Sequence, residues 1–253
     1  MSDKRFIQSI GIGASYFLVM SLLFEGKALN LVFQPKWDIR KNIVGAEVLL
    51  RTERGGSPIE ILDKALHQKQ TLELTRSVLI GTVKQMRKWQ EKGVSIPLSV
   101  NIYVEDLSFE MLEFIEKVFH EQGLPLMFLS IELLENQMLY AEKRAIIEAF
   151  RQKDIEVLLD DFGGGVHTWG TIDEWQDVLD GVKIDKSVVD RGEADAYVDL
   201  LLKKDLSVEV EGIEKEEQYK NFPSEVKLQG FYLSEPLSAD EFEKLVAPEV
   251  VSL

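Results

Sequence analysis

Acidic and amide side chains recur at one kind of place in this sequence. Short apolar runs of the sort that form buried strands end, or nearly end, in a group able to hold a cation or a proton: Glu47, Asn101, Glu132, the pair Asp160 and Asp161, Lys183 with Asp185, Glu211, and Gln229. The set is rich in oxygen donors. With only 3 His and no Cys in the chain, it matches the donor chemistry of a hard divalent cation, Mg²⁺ or Mn²⁺, rather than that of zinc or an iron–sulfur cluster. Two such ions about 3.5–4 Å apart are a general solution to phosphodiester hydrolysis, because together they activate a water and hold the phosphate. Any one of these carboxylates, taken alone, reads as solvated or as a helix cap. With 44 Asp and Glu in the chain, two or three such placements arise by chance, whereas six or seven successive strand ends do not.

The elements that would position these groups can be read from hydrophobic period. LNLVFQP (29–35) and IVGAEVLLR (43–51) form an antiparallel pair around a turn at 40–42. PIEILDKALHQ and LELTRSVLIGTVKQMRKWQEK have helical spacing and stop before Gly93. Further strands are predicted at 96–102, 128–135, 155–163, 182–185, 206–212 and 226–230, with helices between them at 105–123 and near 140–152, and SADEFEKLV as the last helix. Strands recurring every 20–30 residues or so with helices between them indicate βαβ units. The fold class is therefore α/β, a modified (β/α)₈ TIM-type barrel with an antiparallel first strand. In such barrels the C-terminal strand ends converge on one mouth, where active sites lie.

Charge and length limit the function classes. The chain has 253 residues and a formal net charge of 29 − 44 = −15. That field repels polyanions, which excludes gripping a nucleic acid polymer as the main task, although a small phosphorylated ligand is accommodated once metal ions supply positive charge. The absence of Cys fits a reducing compartment, and a cytoplasmic location is expected. Residues 6–24 carry no charge and follow MSDKR. They are read as the first helix of the fold, an apolar segment at 1–22 ahead of a single barrel domain at 23–253. A membrane anchor is the weaker reading, since Gln8 and several Ser and Gly interrupt the run and no small-residue cleavage pattern follows. The stretch IGIGAS lacks the third glycine of a dinucleotide fingerprint, with Tyr16 in its place.

With these residues in hand, the chain resembles the EAL family of bacterial phosphodiesterases specific for cyclic di-GMP. FQP (33–35), AEVLLR (46–51), SVN (99–101), ELLE (132–135), LDDFGGG (159–165), KID (183–185), VEGIE (210–214) and QGFYLSEPL (229–237) follow one another in the family's order over about residues 23–245. The resemblance implies that Glu47, Asn101, Glu132 and Asp160 hold one metal ion. It implies that Asp160 bridges to a second, with Asp161, Asp185 and Glu211 completing or supporting that site. Lys183 would touch the attacking water and help remove its proton, with a pKa lowered by two neighbouring cations. Gln34, Arg51 and Gln229 would orient the substrate, Arg51 by its fork on a phosphate, and Glu135 would brace the loop after Asp161. The implied reaction is in-line attack of water on one phosphodiester to give linear pGpG, with a homodimer as the implied assembly.

Four departures from the family pattern stand out. Leu134 replaces a threonine, Val48 enlarges the signature alanine, Lys215 replaces a threonine, and Gly164, Val166, His167 and Trp169 alter the loop that couples dimerisation to the second metal in the family. None removes an implied ligand. His167 is expected to be an exposed loop residue and Trp169 a packing or dimer-contact residue rather than a stacking platform for guanine. The altered loop keeps a second reading open, a catalytically silent module that binds cyclic di-GMP or a protein partner as a regulator.

Overall fold

A computed structural model describes residues 22–24, 27–52, 57–134, 139–219 and 222–247. Its centre is a closed barrel. Strand β1 (Leu22–Phe24) pairs antiparallel with β2 (Lys27–Trp37), which pairs antiparallel with β3 (Ile43–Thr52). From β3 onward every neighbour is parallel, through β4 (Leu98–Ile102), β5 (Leu129–Leu133), β6 (Glu156–Phe162), β7 (Gly181–Ile184), β8 (Ser207–Val210) and β9 (Lys227–Leu228). The ring closes where β2 meets β9 antiparallel at Trp37 and Leu228. The strand expected to run against the others is thus β2, antiparallel to β1, β3 and β9 alike. The apolar run at 6–24, read as helix, ends in strand at Leu22–Phe24, which spans the expected boundary at 22–23, and the earlier part of the run lies outside the described residues.

Local chemistry explains the odd start. The reversal between β2 and β3 is a turn built on Asp38, whose carboxylate accepts from the backbone N–H groups of Arg40 and Asn42, each at 2.8 Å. That compact loop leaves no room for a crossover helix, and a short connection dictates antiparallel pairing. Later strands are joined by helices: α1 (Ile59–His67) and α2 (Thr71–Glu91) before β4, α3 (Phe109–Gln122) before β5, α4 (Arg144–Arg151) before β6, α5 (Trp169–Trp175) before β7, and α6 (Lys186–Asp190) with α7 (Ala194–Leu202) before β8. Helix α3 starts at Ser108, whose hydroxyl accepts from Met111 N–H at 3.1 Å, and ends at Gly123 in the left-handed conformation, φ +63°.

Alternation along the strands builds two interiors. Leu98, Val100 and Ile102 on β4 face the helices, as do Val157 and Leu159 on β6, and all are buried. The intervening positions face the barrel axis, and many are polar: Ser99, Ser130, Lys183 and Glu209 are all buried. The apolar core therefore sits between strands and helices, while the barrel lumen carries charge. Outside the closure, α8 (Ala239–Val246) lays Phe242 against Phe33 and Trp89, with Phe33 and Trp89 ring centroids 4.7 Å apart edge-on. This cluster ties β2 to helices from both ends of the chain.

Candidate active site

The groups singled out from the sequence do meet at the C-terminal ends of the strands. They line a cavity of about 500 Å³ whose wall includes Gln34, Glu47, Arg51, Asn101, Asp160, Asp161, Lys183, Glu211 and Gln229, within the size of typical small-ligand sites. Its apolar side is built from Pro58, Leu62, Leu74 and Val78, with Phe231 at the rim. Phe231 is 62 % exposed.

Lys183 is the hub. Buried on β7, its Nζ lies 2.8 Å from Glu132 Oε2, 2.8 Å from Asp160 Oδ1, 2.6 Å from Glu211 Oε1 and 3.4 Å from Glu47 Oε2. Burial works against its charge, but Asp160, Glu132, Glu211 and Glu47 outweigh that and hold its pKa well above the ordinary lysine value. The lowered pKa expected beside two cations is thus the reverse of what the protein's own groups impose. The acids split in the opposite sense. Burial pushes Asp160 up to about 6 against the pull of Lys183. It also raises Glu47, helped by Glu132, and Glu211. Glu132, despite complete burial, is held below the usual carboxylate range by Lys183 and Lys36.

A divalent cation fits these residues. Asp160, Asp161 and Glu211 each offer an oxygen, and the three lie within 4.8 Å of one another. Asn101 donates its Nδ2 to Glu47 Oε1 at 2.7 Å, and its Oδ1 is buried in the cavity wall with no hydrogen-bond partner among the described residues. An orphaned amide oxygen in the wall of the cavity that also holds three clustered carboxylates is hard-cation chemistry, since leaving such an acceptor unpaired carries a cost. Local backbone geometry supports the cluster. Asp161 sits at φ +51°, a left-handed conformation that Asp tolerates better than most residues, and Asp160 Oδ1 accepts from its N–H at 3.0 Å. Gly230, following Gln229, runs so close to Ile213 that a Cβ there would lie 2.2 Å from the Ile213 carbonyl oxygen.

Other expected residues have more specific placements. Gln229 donates to Glu47 Oε2 at 2.9 Å, and Gln34 contacts the Ser234 carbonyl at 3.4 Å. Arg51 donates to the Leu50 carbonyl at 2.8 Å from the cavity wall. Asp185 caps α6, accepting from Ser187 N–H at 2.9 Å, and is not one of the three clustered carboxylates. Glu132 lies under the cavity floor with both oxygens held by lysines. Glu135 lies outside the described residues. His167 is not an exposed loop residue: it is buried, burial lowers its pKa, and its Nε2 has no partner among the described residues. Trp169 packs as expected, its ring 5.0 Å from those of both Phe162 and Tyr197.

Four charged residues of the lumen escaped the sequence reading: Lys36, Glu156, Glu209 and Lys227. The signal was present in the period of the strands. Lys36 follows Gln34 by two residues, Glu209 precedes Glu211 by two and Lys227 precedes Gln229 by two, so each shares an inward face with a site residue.

Comparison with known proteins places this architecture. The family model for the EAL domain matches residues 19–236. The cyclic di-GMP phosphodiesterase PdeR of Escherichia coli is 27% identical over 237 residues, covering 87% of this chain and 36% of PdeR. The probable cyclic di-GMP phosphodiesterase PdeB of the same organism is 27% identical over 235 residues, covering 86% of this chain and 44% of PdeB. The chain thus spans less than half the length of either relative. Among solved structures, the EAL enzyme Bd1971 bound to cAMP and cyclic di-GMP superposes with a TM-score of 0.77 at 21% identity, over 86% of this chain and 64% of that one. The PaMucR phosphodiesterase in complex with c-di-GMP gives 0.74 at 24% identity, over 85% and 94%. Both superpositions bear out the barrel fold. Among the described residues, no helix is long and apolar enough to cross a membrane.

Proposed function

Because the chain belongs to the EAL-domain family, we propose that it is a metal-dependent phosphodiesterase that hydrolyses cyclic di-GMP to linear 5′-pGpG. The observation that carries this reading is the intact oxygen cluster of Asp160, Asp161 and Glu211 in the same cavity wall as the unpartnered oxygen of Asn101. Glu47, Asn101, Glu132 and Asp160 would hold one Mg²⁺ or Mn²⁺. Asp160, Asp161 and Glu211 would hold a second, with Asp185 in support. Ions bound there supply Lewis-acid charge and an acidified water.

The chain's own groups perform the rest. Lys183, whose Nζ lies within 2.8 Å of Asp160 and Glu211 and which the surrounding acids hold protonated where no cation is bound, would touch the attacking water. In the neutral form that two bound cations favour, it would take up the water's proton as the water oxygen bonds to phosphorus. The P–O3′ bond breaks, and the departing 3′ oxygen takes a proton from solvent water and leaves as a hydroxyl. Arg51 grips a phosphate by its fork, and Gln34 and Gln229 fix the ligand at the floor. The apolar side of the cavity excludes water from the remainder of the nucleotide.

Incubation of the protein with cyclic di-GMP and Mn²⁺ or Mg²⁺, followed by chromatography, tests the reading, with Glu47→Ala as control. The expected result is metal-dependent pGpG from the parent protein and at least a hundredfold less from the variant, the scale set by losing a group that acts on the reacting atoms. A folded protein that forms no pGpG with either metal overturns the catalytic reading. Retained binding of cyclic di-GMP would then identify a silent receptor, the alternative that the altered loop at 163–169 supports.

A further inference from the structure

A second charged layer lies one pleat below the site. Lys36 on β2 is 3 % exposed, and its Nζ donates to Glu132 Oε1 at 2.7 Å and to Glu209 Oε2 on β8. Glu209 is tied in turn to Lys227 Nζ at 3.0 Å. The other oxygen of Glu132, Oε2, receives Lys183 at 2.8 Å. The two oxygens of Glu132 are therefore assigned to different lysines. Oε2 belongs to the lysine that also reaches Asp160 and Glu211 in the cavity wall. Oε1 belongs to one locked beneath it by Glu209.

Stability does not account for this layer. A buried ion pair holds a fold together no better than apolar side chains of the same size, while breaking it from one side leaves a bare charge. What the layer does accomplish is geometric. A carboxylate with both oxygens free turns about its terminal bond and can offer a metal one oxygen or two, whereas Glu132 with Oε1 pinned offers only Oε2 upward.

We infer that Lys36 is a positioning residue for the site: it fixes Glu132 as a single-oxygen ligand, and Glu209 is the anchor that keeps Lys36 in place. The inference rests on the phosphodiesterase reading, because it takes Glu132 as a ligand. Groups that orient a metal ligand from behind control metal affinity by about 10–100-fold, so binding of the ion, independent of turnover, is the quantity to read.

The test is a titration of the metal-free full chain with Mn²⁺, following the free-ion spin resonance signal. Cooperative unfolding is checked for each variant. The double variant Lys36→Met/Glu209→Gln removes one positive and one negative charge, so net charge is unchanged and no bare ion is buried. It is expected to fold, to bind Mn²⁺ about tenfold or more weakly, and to lose kcat while keeping KM for cyclic di-GMP. Glu209→Gln alone keeps an oxygen acceptor for Lys36 and is expected to stay within about threefold of the parent. Parental Mn²⁺ affinity in a folded double variant overturns the inference, and so does an equal loss in Glu209→Gln, because then the anchor's charge and not the placement of Lys36 would govern. Should the double variant not fold, Glu209→Leu, which leaves Lys36 tied to Glu132 alone, is read instead. A loss of about three- to tenfold is expected there, and parental affinity overturns the inference. A parent protein that binds no Mn²⁺ at all overturns the phosphodiesterase reading itself, an outcome visible before any substitution is made.

Discussion

Asp160 meets a cation already carrying a competitor for it. Burial lifts its carboxyl to about 6, and Glu47 and Glu211 are raised in the same direction. A raised carboxyl pKa means that near pH 6 and below a proton occupies the oxygen a metal needs, so binding must expel it. The sign follows: Mn²⁺ affinity falls as pH drops through about 6, where Asp160 takes up its proton, and the raised Glu47 and Glu211 act in the same sense. Calorimetry in buffers of different ionisation enthalpy between pH 5 and 8 measures this, with about one proton released per site near pH 6 expected. An affinity flat across that range would show that these acids are not the ligands. At this scale the sequence was informative where strand ends were concerned. Glu47, Asn101, Asp160, Asp161, Lys183, Glu211 and Gln229 stood out because each follows an apolar run, and all of them line one cavity. Glu209 lies inside a run read as ordinary strand, and Lys36 lies one residue past the predicted end of LNLVFQP, whereas β2 runs on to Trp37; a charge in either place gains meaning only when the lumen it faces is known to be polar. His167 departs from expectation for a related reason: its loop position suggests solvent, yet the side chain is buried.

The end of β6 shows how elements carry the site. Asp161 is followed by Phe162, whose ring faces Trp169 on α5 at 5.0 Å and Tyr197 on α7 at 5.6 Å. Two rings from two helices therefore grip the residue next to a proposed ligand. The intervening loop passes so close to α6 that a Cβ on Gly164 would lie 2.7 Å from Asp185 Oδ1. Trp169→Ala removes the central ring of the trio. Because the side chain is only partly buried, a loss of about 2–3 kcal/mol is expected, below the range for a fully buried tryptophan. Urea unfolding reads this directly. A loss under about 0.5 kcal/mol, the size of an ordinary surface change, would mean the trio does not hold the loop. Strand and helix order was legible because period and turn residues act locally. The contact of Trp169 with Tyr197 was not, since it depends on how α7 returns to the barrel wall.

At the scale of the whole molecule, closure and charge act against each other. Closing β2 onto β9 brings acids from the strand ends to one mouth, and the chain around that mouth carries a net charge of −15. The proposed substrate is a dianion. Bound cations reverse the sign locally at the floor, but at distances beyond a Debye length of about 10 Å in 0.1 M salt the approaching ligand feels the chain as a whole. Long-range repulsion of this kind slows encounter and is relieved by screening. With metal saturating, kcat/KM for cyclic di-GMP is therefore expected to rise by about two- to fivefold between 20 and 200 mM salt, while kcat, set after binding, stays level. The opposite behaviour, a steep fall of kcat/KM with salt, would show that a positive local field commands the approach path and that the acidic surface is turned away from it. The choice between the two lies in where the excess acids face. Lys186 and Arg51 line the cavity, and they are what the repulsion must outweigh.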